Sequence, residues 1–147
     1  MAGAVIAKDY ETNPEGFEEK YSSDEKSLTP WMQSAHDLDK IAFEKMPDLC
    51  ADLGKTVEVW LMGVHPDYRG NKIANSLIRE IVPICKKAGY KYVTMQATSY
   101  YTAKAATMNN FPEVCSFQAK DWLWKGKPLY TQTKAPHGTW TFFAKSL

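Results

Sequence analysis

The sequence lacks the features that mark several specialised classes of protein. Its net charge is only +1, so composition gives no electrostatic reason to expect nucleic acid or an anionic membrane as a partner. No apolar run is long enough to span a bilayer, and the first residues lack the charged, apolar and cleavage regions of a signal peptide. We therefore expect a cytoplasmic protein that binds neither nucleic acid nor membrane.

Cysteine is scarce, and its pattern also excludes a class of site. Cys50, Cys85 and Cys115 are an odd number without the spacing of a metal site, so we expect reduced thiols and no bound metal. With 147 residues, 44% of them hydrophobic, the chain has room for one core but not for two domains. We expect residues 1–147 to form a single domain.

The stretch from Val57 to Ala88 organises the rest of the chain. Residues 57–64 are rich in β-branched and apolar side chains, which is typical of a buried strand. An apolar face with a spacing of four then predicts a helix that Gly89 ends in a left-handed turn. The residues of that face are Ile73, Leu77, Ile81, Cys85 and Ala88. The free N–H groups and the positive dipole end of this helix are expected at the tip of the strand.

The turn between this strand and this helix has the chemistry of a phosphate site. Arg69 and Lys72 add positive charge, and Gly70 lets the backbone approach a ligand closely. Neither a Walker motif nor G-x-G-x-x-G is present, so the usual nucleotide loops are excluded. The alternative interpretation is an ordinary strand–helix unit with a charged surface turn.

The same stretch resembles the acetyl-CoA signature of the GNAT (Gcn5-related N-acetyltransferase) superfamily, L-x-V-x-P-x-x-R-G-x-G-I-A-x-x-L. The matching positions are Met62, Val64, Pro66, Arg69, Gly70, Ile73, Ala74 and Leu77. Lys72 stands where the signature has its second glycine, and its amide still points at a pyrophosphate if the backbone stays helical there. The resemblance implies bound acetyl-CoA. Its expected contacts are Met62, Gly63, Val64, Arg69, Gly70, Asn71, Lys72, Ile73 and Ala74, with Ser99 and Lys104 from a later segment.

The flanking patterns predict the other elements. We expect strands at 4–7, 90–97, 114–120 and 139–145, with polar loops at 8–27 and 121–136. Thr29 and Pro30 begin a helix that Pro47 ends, a short helical turn follows at 49–53, and another helix covers 101–109. The first of these helices either packs across the sheet or forms a lid or wall of a substrate pocket. Helical crossovers predict parallel pairing of neighbouring strands, and the last pair is expected to be antiparallel.

The resemblance also implies the GNAT acyl-CoA N-acyltransferase fold, an α/β fold with a mixed sheet flanked by helices. In that family a strand, two helices and a second strand precede the strand expected at 4–7. The resemblance therefore implies an N-acetyltransferase domain that lacks its N-terminal part, in a truncated or a divergent chain. An unpaired sheet edge would lower its stability or favour a homodimer.

Two later segments are similar to those of insect-type arylalkylamine N-acetyltransferases. Residues 97–104, A-T-S-Y-Y-T-A-K, resemble the S-S-H-Y-S-A-R segment of that group, and Ala135-Pro136-His137 resembles its closing P-H. The similarity implies acetyl transfer to a small arylalkylamine. It offers the hydroxyls of Thr98 and Thr102 for catalysis, where many GNAT enzymes place a tyrosine at the position of Ala106. The two threonines share a helix face if the helix starts by Thr98.

Direct attack of an amine on a thioester needs a proton acceptor and donors for the oxyanion. A backbone N–H at 62–64 would serve as donor. His137 would serve as the base or as a member of a water chain, and Glu58 is the other candidate base. Capping explains the threonines equally well, His137 also fits an ordinary loop position, and strand alternation can turn Glu58 to solvent. A CoA-binding protein without activity, and a GNAT enzyme for a polyamine or a protein amine, are the alternative functions.

Overall fold

The computed structural model describes residues 1–10 and 29–147. Its strands are β1 (Gly3–Asp9), β2 (Thr56–Val64), β3 (Tyr92–Ala97), β4 (Glu113–Gln118), β5 (Leu123–Trp124), β6 (Lys127–Pro128) and β7 (Thr139–Ser146). Its helices are α1 (Pro30–Lys45), α2 (Pro47–Ala51), α3 (Ile73–Lys87) and α4 (Tyr100–Met108), with 3-10 turns at Leu53–Lys55, Pro66–Tyr68 and Ala119–Asp121. Most of the loop expected at 8–27 lies outside the described residues.

Five strands form one mixed sheet in the order β1-β2-β3-β7-β4, which confirms the predicted α/β class. Strands β2 and β3 pair in parallel, and the other neighbours in the sheet pair antiparallel. The expected parallel pairing of consecutive strands is correct for β2 and β3 but wrong for β3 and β4. Strand β7 lies between them, because the crossover through α4 passes one strand position and β7 returns to fill it.

Helices cover both faces of the sheet. On one face α3 and α4 pack against β2 and β3 in a cluster that includes Val57, Ile78 and Ala106. On the other face α1 packs against β4 and β7 around Leu38 and the fully buried Phe142. Helix α1 therefore packs across the sheet, as one of the two interpretations of its sequence proposed.

The sequence signals for helix ends are confirmed. The Thr29 hydroxyl accepts a hydrogen bond from the Met32 N–H at 3.3 Å and caps α1. Gly89 follows α3 with a φ of +90°, and Asn110 follows α4 with a φ of +56°. Left-handed residues at these two positions stop each helix.

Some boundaries and faces differ from the expectation. Helix α2 starts at Pro47 rather than at residue 49, because proline suits the first position of a new helix. On α3 the buried face includes Ile78, while Ala88 is exposed, since 3.6 residues per turn drift away from a spacing of four. The loop at 121–136 contains the β5–β6 hairpin, whose turn residues Lys125 and Gly126 both have positive φ.

Candidate functional site

The parallel strands β2 and β3 diverge near their carboxyl ends. Their pairing covers only residues 56–59 of β2 and 92–95 of β3. At the same point the register between β1 and β2 shifts, so that Trp60 of β2 has no partner on β1. A β-bulge of this kind bends its strand. A gap therefore opens between the ends of β2 and β3, at the sheet edge where open α/β sheets bind ligands.

Two backbone N–H groups of β2 face this gap. His65 donates a hydrogen bond to the Ala2 carbonyl at 2.8 Å, which sets the phase of the antiparallel ladder between β1 and β2. Alternate residues of such a ladder bond to the partner strand, so Leu61 and Gly63 bond towards β1. The N–H groups of Met62 and Val64 consequently point the other way, into the gap. This arrangement provides donors where an oxyanion would develop.

The turn after β2 leads directly into α3 and is exposed from residue 65 to residue 72. Gly70 has a φ of +83°, and a side chain built there would meet no atom within 4 Å, so the backbone is open to a ligand. Asn71 fixes the turn through its amide, which donates to the Tyr68 carbonyl at 3.1 Å. Among the described residues, the side chains of Arg69 and Lys72 form no salt bridge. Both charges are available to an anion.

Helix α3 begins without a side-chain cap at this turn. Its cap residue is Lys72, so the N–H groups of the first turn, including those of Ile73 and Ala74, have no partner within the helix. The positive end of the helix dipole lies at the same place. The structure thus combines free N–H groups, a helix dipole and two cationic side chains in one turn.

The backbone at Lys72 is left-handed, with φ 58° and ψ 19°. The condition named above for the Lys72 amide, a helical backbone at this position, is therefore not met. Left-handed geometry favours glycine because a Cβ crowds the following carbonyl, which explains why glycine suits this position of the signature. A lysine at this position therefore strains the local backbone.

Replacing Lys72 by glycine is expected to stabilise the protein by about 1 kcal/mol, because glycine removes the left-handed penalty. The measurement is the free energy of unfolding in urea. The matched control is Lys86→Gly in the last turn of α3, which should cost up to about 1 kcal/mol because that position is helical. Equal losses in the two variants would contradict this account of the turn.

Helix α4 starts at the carboxyl end of β3 and carries several of the predicted residues. Ser99 is its N-cap, accepting from the Thr102 N–H at 3.2 Å and sharing a hydrogen bond with the Thr102 hydroxyl at 2.9 Å. The helix begins only at Tyr100, so Thr98 precedes it and the condition for a helix face shared with Thr102 is not met. Lys104 is exposed, with its ammonium 6.0 Å from the centre of the Tyr100 ring.

A cavity of about 440 Å³ connects the gap with the face of the sheet that carries α1. Thr98 and Thr102 both line this cavity together with Met62, although Thr98 lies before the first residue of α4. Helix α1 supplies one wall, which includes Trp31 and Asp39. The remaining lining residues are Lys8, Tyr10, Met32, Ala35, His36, Glu58, Val59, Trp60, Leu61, Met95 and Gln96.

Asp39 is the buried carboxylate of this cavity, with only 6% of its surface exposed. The Gln96 amide donates to it at 2.5 Å and also reaches the Ala35 carbonyl at 3.0 Å. Burial raises the pKa of Asp39 to about 7, helped by the nearby Glu58 charge, while the hydrogen bonds from Tyr10 and Gln96 and the charge of Lys8 act in the opposite direction. Burial therefore disfavours the charged form of this carboxyl group.

Glu58 and His137, the two bases predicted from the sequence, lie in different surroundings. The Glu58 side chain points into the cavity, where it forms a salt bridge with Lys8 at 3.3 Å. At the start of α4 the Nδ1 of His137 accepts a hydrogen bond from the Tyr100 N–H at 3.3 Å, and its ring contacts Tyr101. His137 is not one of the described residues that line the cavity.

Asp39 is not among the site residues predicted from the sequence. The available signal is its position four residues after Ala35 and three before Ala42, which places an acidic residue beside the apolar face of α1. A carboxylate at such a position is expected to be buried and to need hydrogen-bond partners from the sheet. Its partner Gln96 comes from a strand 57 residues away, which sequence spacing does not reveal.

The described residues offer neither a metal site nor a membrane span. No three of their His, Cys, Asp and Glu side chains are grouped to hold a metal ion. None of their helices is long and apolar enough to cross a membrane. All three cysteines are free thiols.

Residues 40–108 match the sequence model of the acetyltransferase (GNAT) family. This segment contains β2, the Arg69–Lys72 turn, α3, β3 and α4, and so covers the gap and both helix starts. No curated protein sequence matches the chain.

Solved structures of insect N-acetyltransferases share the fold. Arylalkylamine N-acetyltransferase 2 from Aedes aegypti has a TM-score of 0.79 at 18% identity, with 99% of this chain and 67% of that one covered. The mosquito protein "arylalkylamine N-acetyltransferase like 5b" has a TM-score of 0.75 at 22% identity, with 99% of this chain and 68% of that one covered. The Drosophila melanogaster polyamine N-acetyltransferase has a TM-score of 0.71 at 20% identity, covering 99% and 69%.

Proposed function

Because residues 40–108 match the acetyltransferase (GNAT) family model, we propose that this chain is an acetyltransferase of that kind, which binds acetyl-CoA at the start of α3 and transfers the acetyl group to a small arylalkylamine. The observation that carries the proposal is the combination of the gap between β2 and β3, the anion-binding turn and the cavity. The turn suits a phosphate, and the cavity suits an amine.

The residues of the turn fit the pyrophosphate of acetyl-CoA. Arg69 and Lys72 supply charge, and the open backbone at Gly70 and the free N–H groups of Ile73 and Ala74 supply donors. The gap then receives the extended arm of the same molecule between two strand ends whose facing backbone groups are unpaired. Gly63, Asn71, Ser99 and Lys104 remain proposed contacts at the edges of this path.

The N–H groups of Met62 and Val64 are proposed to donate to the thioester oxygen as negative charge develops on it. Preorganised backbone donors of this kind lower the barrier because they need no reorganisation during the reaction. Thr98 and Thr102 lie on the same cavity and are proposed to hydrogen-bond the departing thiolate and to supply its proton. His137 is proposed as a member of a water chain at the start of α4. Its Nδ1 accepts the hydrogen bond from the Tyr100 N–H, so its Nε2 is the nitrogen that would contact a water molecule.

The cavity walls favour an aromatic amine, because Trp31, Trp60 and Tyr10 offer flat apolar surface. The carboxylates of Asp39 and Glu58 favour a second candidate, an amine with an additional positive charge such as agmatine. Lys8 neutralises Glu58 and lies 5.2 Å from the centre of the Trp60 ring, which reduces the net negative charge of the pocket. An arylalkylamine is therefore the first proposal.

The test is turnover of acetyl-CoA by the chain with dopamine, tyramine, serotonin and agmatine, measured as thiol release on one sample. Turnover of the aryl amines supports the first proposal, and turnover of agmatine alone supports the second. A folded sample that binds acetyl-CoA and acetylates none of the four would support a CoA-binding protein without activity towards small amines. A folded sample that does not bind acetyl-CoA would contradict the whole proposal.

Replacing both threonines by valine is expected to lower kcat by about 100-fold, the lower end of what a positioned proton donor contributes. Valine keeps the shape of threonine but removes the hydroxyl, so the acetyl-CoA affinity should stay the same. The control is Thr107→Val on the exposed side of α4, whose hydroxyl bonds only to the Ala103 carbonyl at 3.1 Å. A kcat in the double variant equal to that of the parent would contradict a catalytic role for Thr98 and Thr102.

A further inference from the structure

We propose that the Asp39 carboxylate, held by Gln96 and Tyr10 in the wall of the cavity, accepts the proton of the amine that the chain acetylates. The inference rests on the proposed function and assigns a residue to its proton transfer. An alkyl ammonium has no free lone pair, so the chain must provide an acceptor before the nitrogen can attack.

The position of Asp39 suits this role. Its partner Gln96 directly follows Met95, the last residue of β3 that pairs with β2, so the carboxylate lies beside the opening of the gap. The same cavity contains Met62, whose N–H faces the gap. One cavity is therefore lined both by a carboxylate that can take a proton from the nitrogen and by the residue whose N–H can donate to the carbonyl oxygen.

The surroundings of Asp39 favour proton exchange over a fixed charge. Asp39 forms no salt bridge with a described residue, whereas Glu58 is already held by Lys8. The other titratable groups around it are Tyr10, His36 on α1 and Cys115 on β4. Burial raises the pKa of the Cys115 thiol to about 11, so this thiol stays neutral beside the carboxylate. Asp39 therefore changes its protonation state near neutral pH without breaking an ion pair.

The proton balance of the reaction is complete with this residue. Asp39 takes one proton from the ammonium, and the freed nitrogen forms a bond to the thioester carbon as the carbon–sulfur bond breaks. The threonine hydroxyls give a proton to the departing thiolate, which becomes the thiol, and they regain it from the second proton that the attacking nitrogen loses. Asp39 then releases its proton to solvent, so each cycle converts ammonium and thioester into amide, thiol and one free proton.

The experiment is the pH dependence of kcat/KM for the full chain with tyramine, compared between the parent and Asp39→Asn. The parent rate should fall tenfold per pH unit below an inflection near 7, because a protonated Asp39 cannot accept a proton. Asp39→Asn should lose that inflection and about 100-fold or more in kcat. Its acetyl-CoA Kd should stay within about twofold of the parent value, which separates this inference from the proposed function.

A second variant and a matched control keep the inference testable if the asparagine variant folds poorly. In Gln96→Met the carboxylate loses a hydrogen bond that favours its charged form, so the inflection should move to higher pH. Asp37→Asn is the control, because Asp37 lies on the same helix but bonds to Trp122 at 2.8 Å, outside the cavity. Its profile should match that of the parent.

Three results would overturn the inference. The first is an unchanged pH profile in Asp39→Asn, which would place the inflection on another group such as His36. The second is a rise in KM with no fall in kcat, which would make Asp39 a binding group for the amine only. The third is a parent chain that binds acetyl-CoA but acetylates no amine, which would overturn the proposed acetyl transfer and with it this inference.

Discussion

Reversing both charges of the turn, in the double variant Arg69→Glu/Lys72→Glu, is expected to raise the Kd for acetyl-CoA by about 100-fold or more. Each charge-assisted contact to a phosphate contributes about 1.5–3 kcal/mol, and about 1.4 kcal/mol corresponds to a factor of ten. Neither side chain forms a salt bridge with a described residue, so both charges are free for the ligand. The measurement is calorimetric titration with acetyl-CoA.

Salt and a matched variant make this result specific. The difference between the parent and the double variant should shrink between about 20 mM and about 0.5 M salt, because ions screen exposed charges. Arg79→Glu is the control, since Arg79 is exposed on α3 away from the turn and bonds to Glu80 at 3.2 Å. Equal affinities for the parent and the double variant would contradict the proposal that the phosphates of acetyl-CoA bind at this turn.

Truncating Phe142 to alanine is expected to lower the free energy of unfolding by about 3–5 kcal/mol, the usual cost of deleting a buried aromatic ring. Phe142 is fully buried on β7, opposite Gln96 of β3 and Cys115 of β4, and its ring packs against Phe43 of α1 at 6.4 Å between centroids. A small protein is stable by about 5–15 kcal/mol in total, so this loss is severe. Urea denaturation provides the measurement.

The control for this prediction is Ile84→Ala, a truncation of an aliphatic side chain that is 65% exposed on α3. It should change the free energy of unfolding by less than about 0.5 kcal/mol. A loss in Phe142→Ala as small as that of the control would show that the ring does not join α1 to the sheet.

The order of the elements follows from local signals that the sequence contains. Thr29 and Pro30 start α1, Gly89 and Asn110 end α3 and α4, and apolar patterns mark the strands. Each of these depends on a few neighbouring residues, so it is visible without the structure. The same holds for the cationic turn at Arg69, because its glycine and charges are adjacent in the chain.

The features that the sequence does not reveal depend on residues far apart in the chain. Strand β7 is the last strand and lies between β3 and β4, an order that no local pattern reports. The left-handed backbone at Lys72 contradicts the propensity of lysine, since the junction with α3 imposes it. Asp39 is recognised only once the fold places Gln96 and Tyr10 against it.

The most direct test of the account is an NMR titration of the ¹⁵N-labelled chain with acetyl-CoA, because it reports the place of binding. We expect the amide signals of Met62, Val64, Ile73 and Ala74 to shift most, while those of the β5–β6 hairpin stay in place. Such a pattern would put the thioester in the gap and the pyrophosphate on the start of α3. A folded chain whose signals do not move, or move only outside β2 and the turn, would contradict the account.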